Sequence, residues 1–175
     1  MSLAYWDQRL FSLLHPPLLE LLGEPAWRWL TSLALPLTVL LITSVWGWQR
    51  RRPFVPVLVA LLNGLLAEQL SSRVLKSIIG RPRPCTIDDL SSLACTGGLS
   101  MPSSHAISIC AGLGVLWFLY PKLRLLYAVS AGLFVLSRLA LGVHYPADLV
   151  VGSFLGMAMS WFVAKRLLRT PWAQP

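Results

Sequence analysis

Three short polar clusters interrupt an otherwise apolar chain, and together they supply cations, two histidines and a carboxylate. The first reads Lys76-Ser-Ile-Ile-Gly-Arg-Pro-Arg83-Pro84, and the second is Pro102-Ser103-Ser104-His105. The third reads Ser137-Arg138-Leu-Ala-Leu-Gly-Val-His144-Tyr-Pro-Ala-Asp148. The chemistry these residue types suit is phosphoryl transfer. Lys76, Arg83 and Arg138 offer charge, and a guanidinium fork matches the oxygens of a phosphate. Ser103 and Ser104 stand where a helix begins, so free backbone N–H groups and the helix dipole favour an anion there. Pro146 suits the first position of a helix, which puts Asp148 in its first turn and within reach of His144. A carboxylate that accepts one imidazole N–H fixes the tautomer and leaves the other nitrogen free to attack. His105 remains as the acid that protonates a departing oxygen.

The elements that must position these clusters are membrane spans. The 175 residues suffice for one domain, and their composition is 55% hydrophobic and only 13% charged. Soluble domains carry about 25% charged residues. A net charge of +8 raises the question of nucleic acid, but eight of the fifteen basic residues fall in three patches beside apolar runs. These are Arg50–Arg52, Lys122 with Arg124, and Lys165, Arg166 and Arg169, as cytoplasmic loops carry them. The expected fold is an all-α integral membrane bundle with about five transmembrane helices. The spans run near Trp27–Trp48 (with Pro36 as a kink), Phe54–Ile79, Ser104–Tyr120, Leu123–Leu141 and Ala147–Leu168. Residues 1–25 are too polar to span. Pro16–Pro17 cut them, and an interfacial amphipathic helix fits them better.

With the basic patches inside, the amino terminus lies outside and the carboxyl terminus is cytoplasmic. Residues 80–102 then form an extracytoplasmic loop on the same face as His144. Cys85 and Cys95 sit in that loop, where a disulfide is permitted, and Cys110 reads as a buried thiol. Trp27, Trp29, Trp46 and Trp48 read as interface anchors, and His15 as an interfacial polar residue. Arg81 is either a supporting charge or solvated, and Asp88 and Asp89 read as solvated. Glu68, deep in a span, either pairs with Arg73 or lines the path of a lipid head.

In these motifs the chain resembles the type 2 phosphatidic acid phosphatase family. That family's pattern is Lys, six residues, Arg-Pro; then Pro-Ser-Gly-His; then Ser-Arg, five residues, His, three residues, Asp. Only Ser104, in place of glycine, departs from it. The resemblance implies a metal-independent phosphatase without cofactor, acting on a membrane lipid through a phosphohistidine at His144. His105 is then the acid, Asp148 the orienting partner, and Lys76, Arg83, Ser103, Ser104 and Arg138 the phosphate cradle. It further implies residence in the cytoplasmic membrane of a bacterium and a lipid phosphate as partner, while the charge distribution, independently of the resemblance, puts the site on the outer face and argues against nucleic acid. The compact layout leans towards undecaprenyl pyrophosphate as substrate. Phosphatidylglycerophosphate, phosphatidic acid and lipid A are the alternatives, and a non-enzymatic anion-binding membrane protein or transporter is the reading from another class. Oligomeric state is not legible.

Overall fold

In the computed structural model, residues 3–50, 54–87, 95 and 98–170 are described. Arg51, Arg52, Asp88 and Asp89 lie outside them. The helices follow in order as α1 (Leu3–Leu30), α2 (Ala34–Gln49), α3 (Val55–Leu70), α4 (Lys76–Ile79), α5 (Pro84–Ile87), α6 (Ser104–Leu119), α7 (Arg124–Ala140) and α8 (Pro146–Leu167). A π-helical turn, Ser71–Leu75, joins α3 to α4 without a break in direction. Among the described residues the sole β pairing is a single bridge between Pro82 and Leu99.

The all-α membrane bundle is therefore as expected, while the span count is smaller by length and composition. Val55–Ile79, Pro121–Ala140 and Pro146–Leu167 are long and apolar enough to cross a bilayer, and α1 with α2 makes a fourth if that pair, bent by 63°, is one span. Helix α6 is apolar but has 16 residues, a rise of about 24 Å against roughly 30 Å of hydrocarbon.

Three expectations at the amino-terminal end need correction. The run Trp27–Trp48 is not one helix, because it breaks at Thr31–Leu33. There the Ser32 hydroxyl donates to the Trp29 carbonyl (2.6 Å) and accepts from Ala34 N–H (3.3 Å), replacing helical backbone bonds. Pro36 lies beyond that break, in the first turn of α2, where a missing N–H costs little. Pro16 and Pro17 do not cut α1, and its non-helical residue is Gly23. Packing against α7 overrides the proline penalty, and the His15 ring donates to the Leu139 carbonyl at 3.2 Å. Trp27 is no interface anchor: it is 2% exposed and its indole N–H donates to the Leu18 carbonyl at 2.6 Å. Trp29 and Trp48 are exposed, as anchors should be.

Helix α6 is the spine, packed between α3 and α8. The contact with α8 is close because Gly156 has no side chain. A Cβ there would lie 2.8 Å from the Cys110 Cβ and 2.9 Å from the Ala111 nitrogen. Polar bonds fasten the same seam, as lipid-facing bundles require. Ser160 Oγ donates to the Cys110 and Ala111 carbonyls, and Asn63 Nδ2 donates to the Ala111 carbonyl from the α3 side. Cys110 is buried and free. This rigid core fixes where α6 and α8 begin, and both begin at the polar clusters.

Candidate functional site

The start of α8 carries the histidine–carboxylate pair. Tyr145 is the N-cap, and Asp148, in the first turn, reaches back so that its Oδ2 accepts the Tyr145 N–H at 2.8 Å. The same Oδ2 stands 3.6 Å from His144 Nδ1 and accepts from the Ser100 hydroxyl, while Oδ1 accepts from Arg81 at 2.9 Å. At 3.6 Å the histidine contact is longer than a hydrogen bond. It fixes which nitrogen faces the carboxylate and leaves Nε2 pointing away. The turn that delivers His144 depends on Gly142, whose φ of 69° favours glycine.

Helix α6 starts beside it, with Ser103 N–H donating to the Asp148 carbonyl at 3.2 Å. Ser103 is the N-cap. Its hydroxyl and carbonyl take the Ala106 and Ile107 N–H groups, which leaves the N–H groups of Ser104 and His105 towards the site. The Ser104 hydroxyl is occupied by Ser71 and Ser72 of the π turn, each at 3.1 Å. Serine in place of the motif glycine thus ties α6 to that turn. His105 stacks against Phe134, ring centroids 6.1 Å apart, and feels the charges of Arg138, His144, Lys76 and Arg83.

The cations come from separate elements and meet here. Lys76 Nζ and Arg83 Nε both donate to the Leu99 carbonyl, at 2.9 and 3.4 Å. The strip around Leu99 lies along residues 81–83, and Cys85 is bonded to Cys95. Arg138, on the last turn of α7, donates to Thr31 Oγ1 at 2.6 Å. Two of these residues keep buried nitrogens without a partner among the described residues: Nε of Arg138, and both ring nitrogens of His144. Buried polar groups are seldom left so. Burial is also the main cause that lowers His144 to about 4 from 6.5, with Arg83 and Arg138 adding to it and Asp148 opposing. The imidazole is therefore neutral near pH 7. Burial lowers Arg83 too, although Asp148 opposes it.

All eight predicted site residues thus gather on one end of the bundle. Sequence reading left Arg81 undecided and missed Ser100, Thr31 and Asp7. Arg81 is not solvated: besides Asp148 it pairs with Asp7 at 2.7 Å and lies over the Tyr145 ring, 4.0 Å from its centroid. Its glycine–arginine context was a usable signal, whereas nothing in the spacing marks the other three. Beside the site a cavity of about 340 Å³ opens between the α1–α2 break, α3 and α6. His105 and Glu68 stand in its wall, and Pro36, Leu40, Leu61 and Leu113 give it an apolar lining. Among the described residues no ion pair joins Glu68 to Arg73; Glu68 faces this cavity.

Residues 57–171 match the model of the PAP2 superfamily. The chain belongs to the PAP2 superfamily. It is 30% identical over 134 residues to the lipid A 1-phosphatase of Rhizobium johnstonii, covering 62% of this chain and 53% of that protein. Against phosphatidylglycerophosphatase B of Bacillus subtilis it is 28% identical over 144 residues, covering 76% and 67%. This PAP2 chain spans about half the length of the lipid A 1-phosphatase. Its fold is that of the crystallised PAP2-type phosphatidylglycerolphosphate phosphatase of Bacillus subtilis, at a TM-score of 0.65 and 24% identity over 95% of this chain and 87% of that one.

Proposed function

We propose that the protein hydrolyses a phosphate monoester on a membrane lipid, with His144 as the nucleophile. The observation that carries this reading is the pair of buried, unpartnered groups, His144 and Arg138 Nε, gathered with Lys76, Arg83 and the free first turn of α6. In this reading a phosphate sits between them. Its oxygens take the guanidinium and ammonium protons and the Ser104 and His105 N–H groups. Neutral His144, with Nδ1 turned to Asp148, attacks phosphorus through Nε2. The P–O bond to the lipid breaks, and His105, which is an imidazolium beside the bound phosphate dianion, passes its proton to the departing oxygen and becomes neutral. Water then attacks the phosphohistidine, His105 takes its proton back, and phosphate leaves. No step requires a metal.

The apolar cavity beside His105 supports a substrate with a hydrocarbon tail. Among tails, the named relatives act on lipid A and phosphatidylglycerophosphate, which supports a monoester of this kind better than undecaprenyl pyrophosphate, the substrate favoured from layout. The basic patches support a site that faces the outside of the cytoplasmic membrane. The test is phosphate release by full-length protein in detergent with EDTA, offered phosphatidylglycerophosphate, phosphatidic acid, lipid A and undecaprenyl pyrophosphate in parallel. Release from the monoesters is expected; release from none of the four overturns the reading.

A further inference from the structure

Arg81 spends itself differently from the other cations of the site. Its Nη1 is bonded to Asp148 Oδ1 at 2.9 Å, its Nη2 is 2.7 Å from Asp7 Oδ2, and its flat face lies over the Tyr145 ring. Both Nη groups are turned to carboxylates, whereas Lys76, Arg83 and Arg138 bond to neutral oxygens. Asp7, on α1, has a second bond across the same gap: its Oδ1 accepts the Ala147 N–H at 2.9 Å, in the first turn of α8. One carboxylate of the amino-terminal helix thus binds both the backbone that carries Asp148 and the guanidinium that grips it. Asp7 and Arg81 are 11% and 19% exposed at their side chains and Asp148 is fully buried, so these charges are poorly screened.

We propose that Arg81 and Asp7 are positioning residues for the nucleophile, with Arg81 bridging Asp148 to Asp7 so that α1 acts as a strut for the His144–Asp148 pair. Arg81 holds Oδ1, which turns Oδ2 towards His144 Nδ1. It also neutralises part of the charge on Asp148, which limits how strongly that carboxylate stabilises a protonated His144. The other groups whose charges His144 feels, Arg83 and Arg138, with His105 from α6, oppose protonation and are untouched by changes at Arg81. The strut explains why α1, which lies outside the three motifs, is packed onto the site.

The first readout does not use turnover. The chain has three histidines, so the His144 imidazole can be assigned by NMR of the labelled full chain in detergent and titrated. In Arg81→Gln its midpoint is expected to rise by about one pH unit, because Asp148 acts on it undivided. In Arg81→Lys the rise is smaller. In Asp7→Asn the midpoint stays at or below that of the unaltered protein, because Arg81 then serves Asp148 alone. A purely architectural role moves none of these midpoints. The second readout, which rests on the proposed phosphatase activity, is a fall of about 10- to 100-fold in kcat for Arg81→Gln with KM nearly unchanged. An Arg81→Gln midpoint equal to the unaltered one, or an equal rise in Asp7→Asn, overturns the strut whether or not lipid phosphate is turned over. An inactive parent with the expected midpoints would instead count against the function alone.

Discussion

His144 owes its character to a competition that burial wins. A histidine beside a carboxylate ordinarily gains protons, yet desolvation and the nearby Arg83 and Arg138 hold this one at about 4. The acid limb that His144 contributes to kcat/KM should therefore lie near pH 4, and a rate profile that collapses around 6.5 would refute the burial argument. Linkage gives the sign for stability. Between pH 6.5 and 4 the unfolded chain binds a proton at residue 144 that the folded chain refuses, so stability falls on acidification through that window. Unfolding midpoints in detergent at pH 7 and 5 should show the loss, and His144→Gln should reduce it. Ser100→Ala removes one donor from Asp148 Oδ2, and a drop of about tenfold in kcat is expected. An unchanged kcat would show that the Tyr145 N–H and Arg81 suffice. The motif spacing exposed His144, Asp148 and Arg138 to sequence reading because a helix start and an (i, i+4) step are local geometry. Ser100 meets Asp148 across 48 positions, a distance over which spacing says nothing.

At the scale of elements, the sequence-based spans were right where an apolar run was both long and uninterrupted, as in α7 and α8, whereas α6 is a helix where expected but shorter than a span. They failed where side chains compete with the backbone, and the Thr31–Leu33 break is such a place. Hydropathy is blind to Ser32 bonding its own helix, yet that break is what hands Thr31 to Arg138. The π turn Ser71–Leu75 was equally hidden, and it is the turn that binds the Ser104 hydroxyl. Thr31→Val should lower kcat/KM by about tenfold by leaving a buried guanidinium nitrogen unpaired, and Thr31→Ser should restore it. If valine and serine behave alike, the hydroxyl does not hold Arg138. Gly142→Ala places a Cβ at φ 69°, a cost of about 1–2 kcal/mol. A lower unfolding midpoint with reduced turnover is expected, since the residue leads directly into His144.

For the whole molecule, the PAP2 bundle is a rigid α3–α6–α8 core with its chemistry at one end and a strut from α1 across it. The core was legible in outline from hydrophobic runs, whereas the docking of α1 depends on Asp7 and His15 meeting partners more than a hundred positions away. The charge patches predict that this end faces outward. A cysteine placed at Asp88 in a Cys110→Ala background should react with an impermeant reagent from outside intact cells, and reaction only after lysis would reverse the orientation.

The central claim is that His144 carries the phosphate during turnover, and trapping tests it most directly. Full-length protein is mixed with a lipid monoester labelled in its phosphate, denatured within the first turnover under alkaline conditions and digested. Label is expected on the peptide containing His144, lost on brief acid treatment and absent in His144→Ala. Label on another residue, or undiminished labelling and turnover in His144→Ala, would contradict the account.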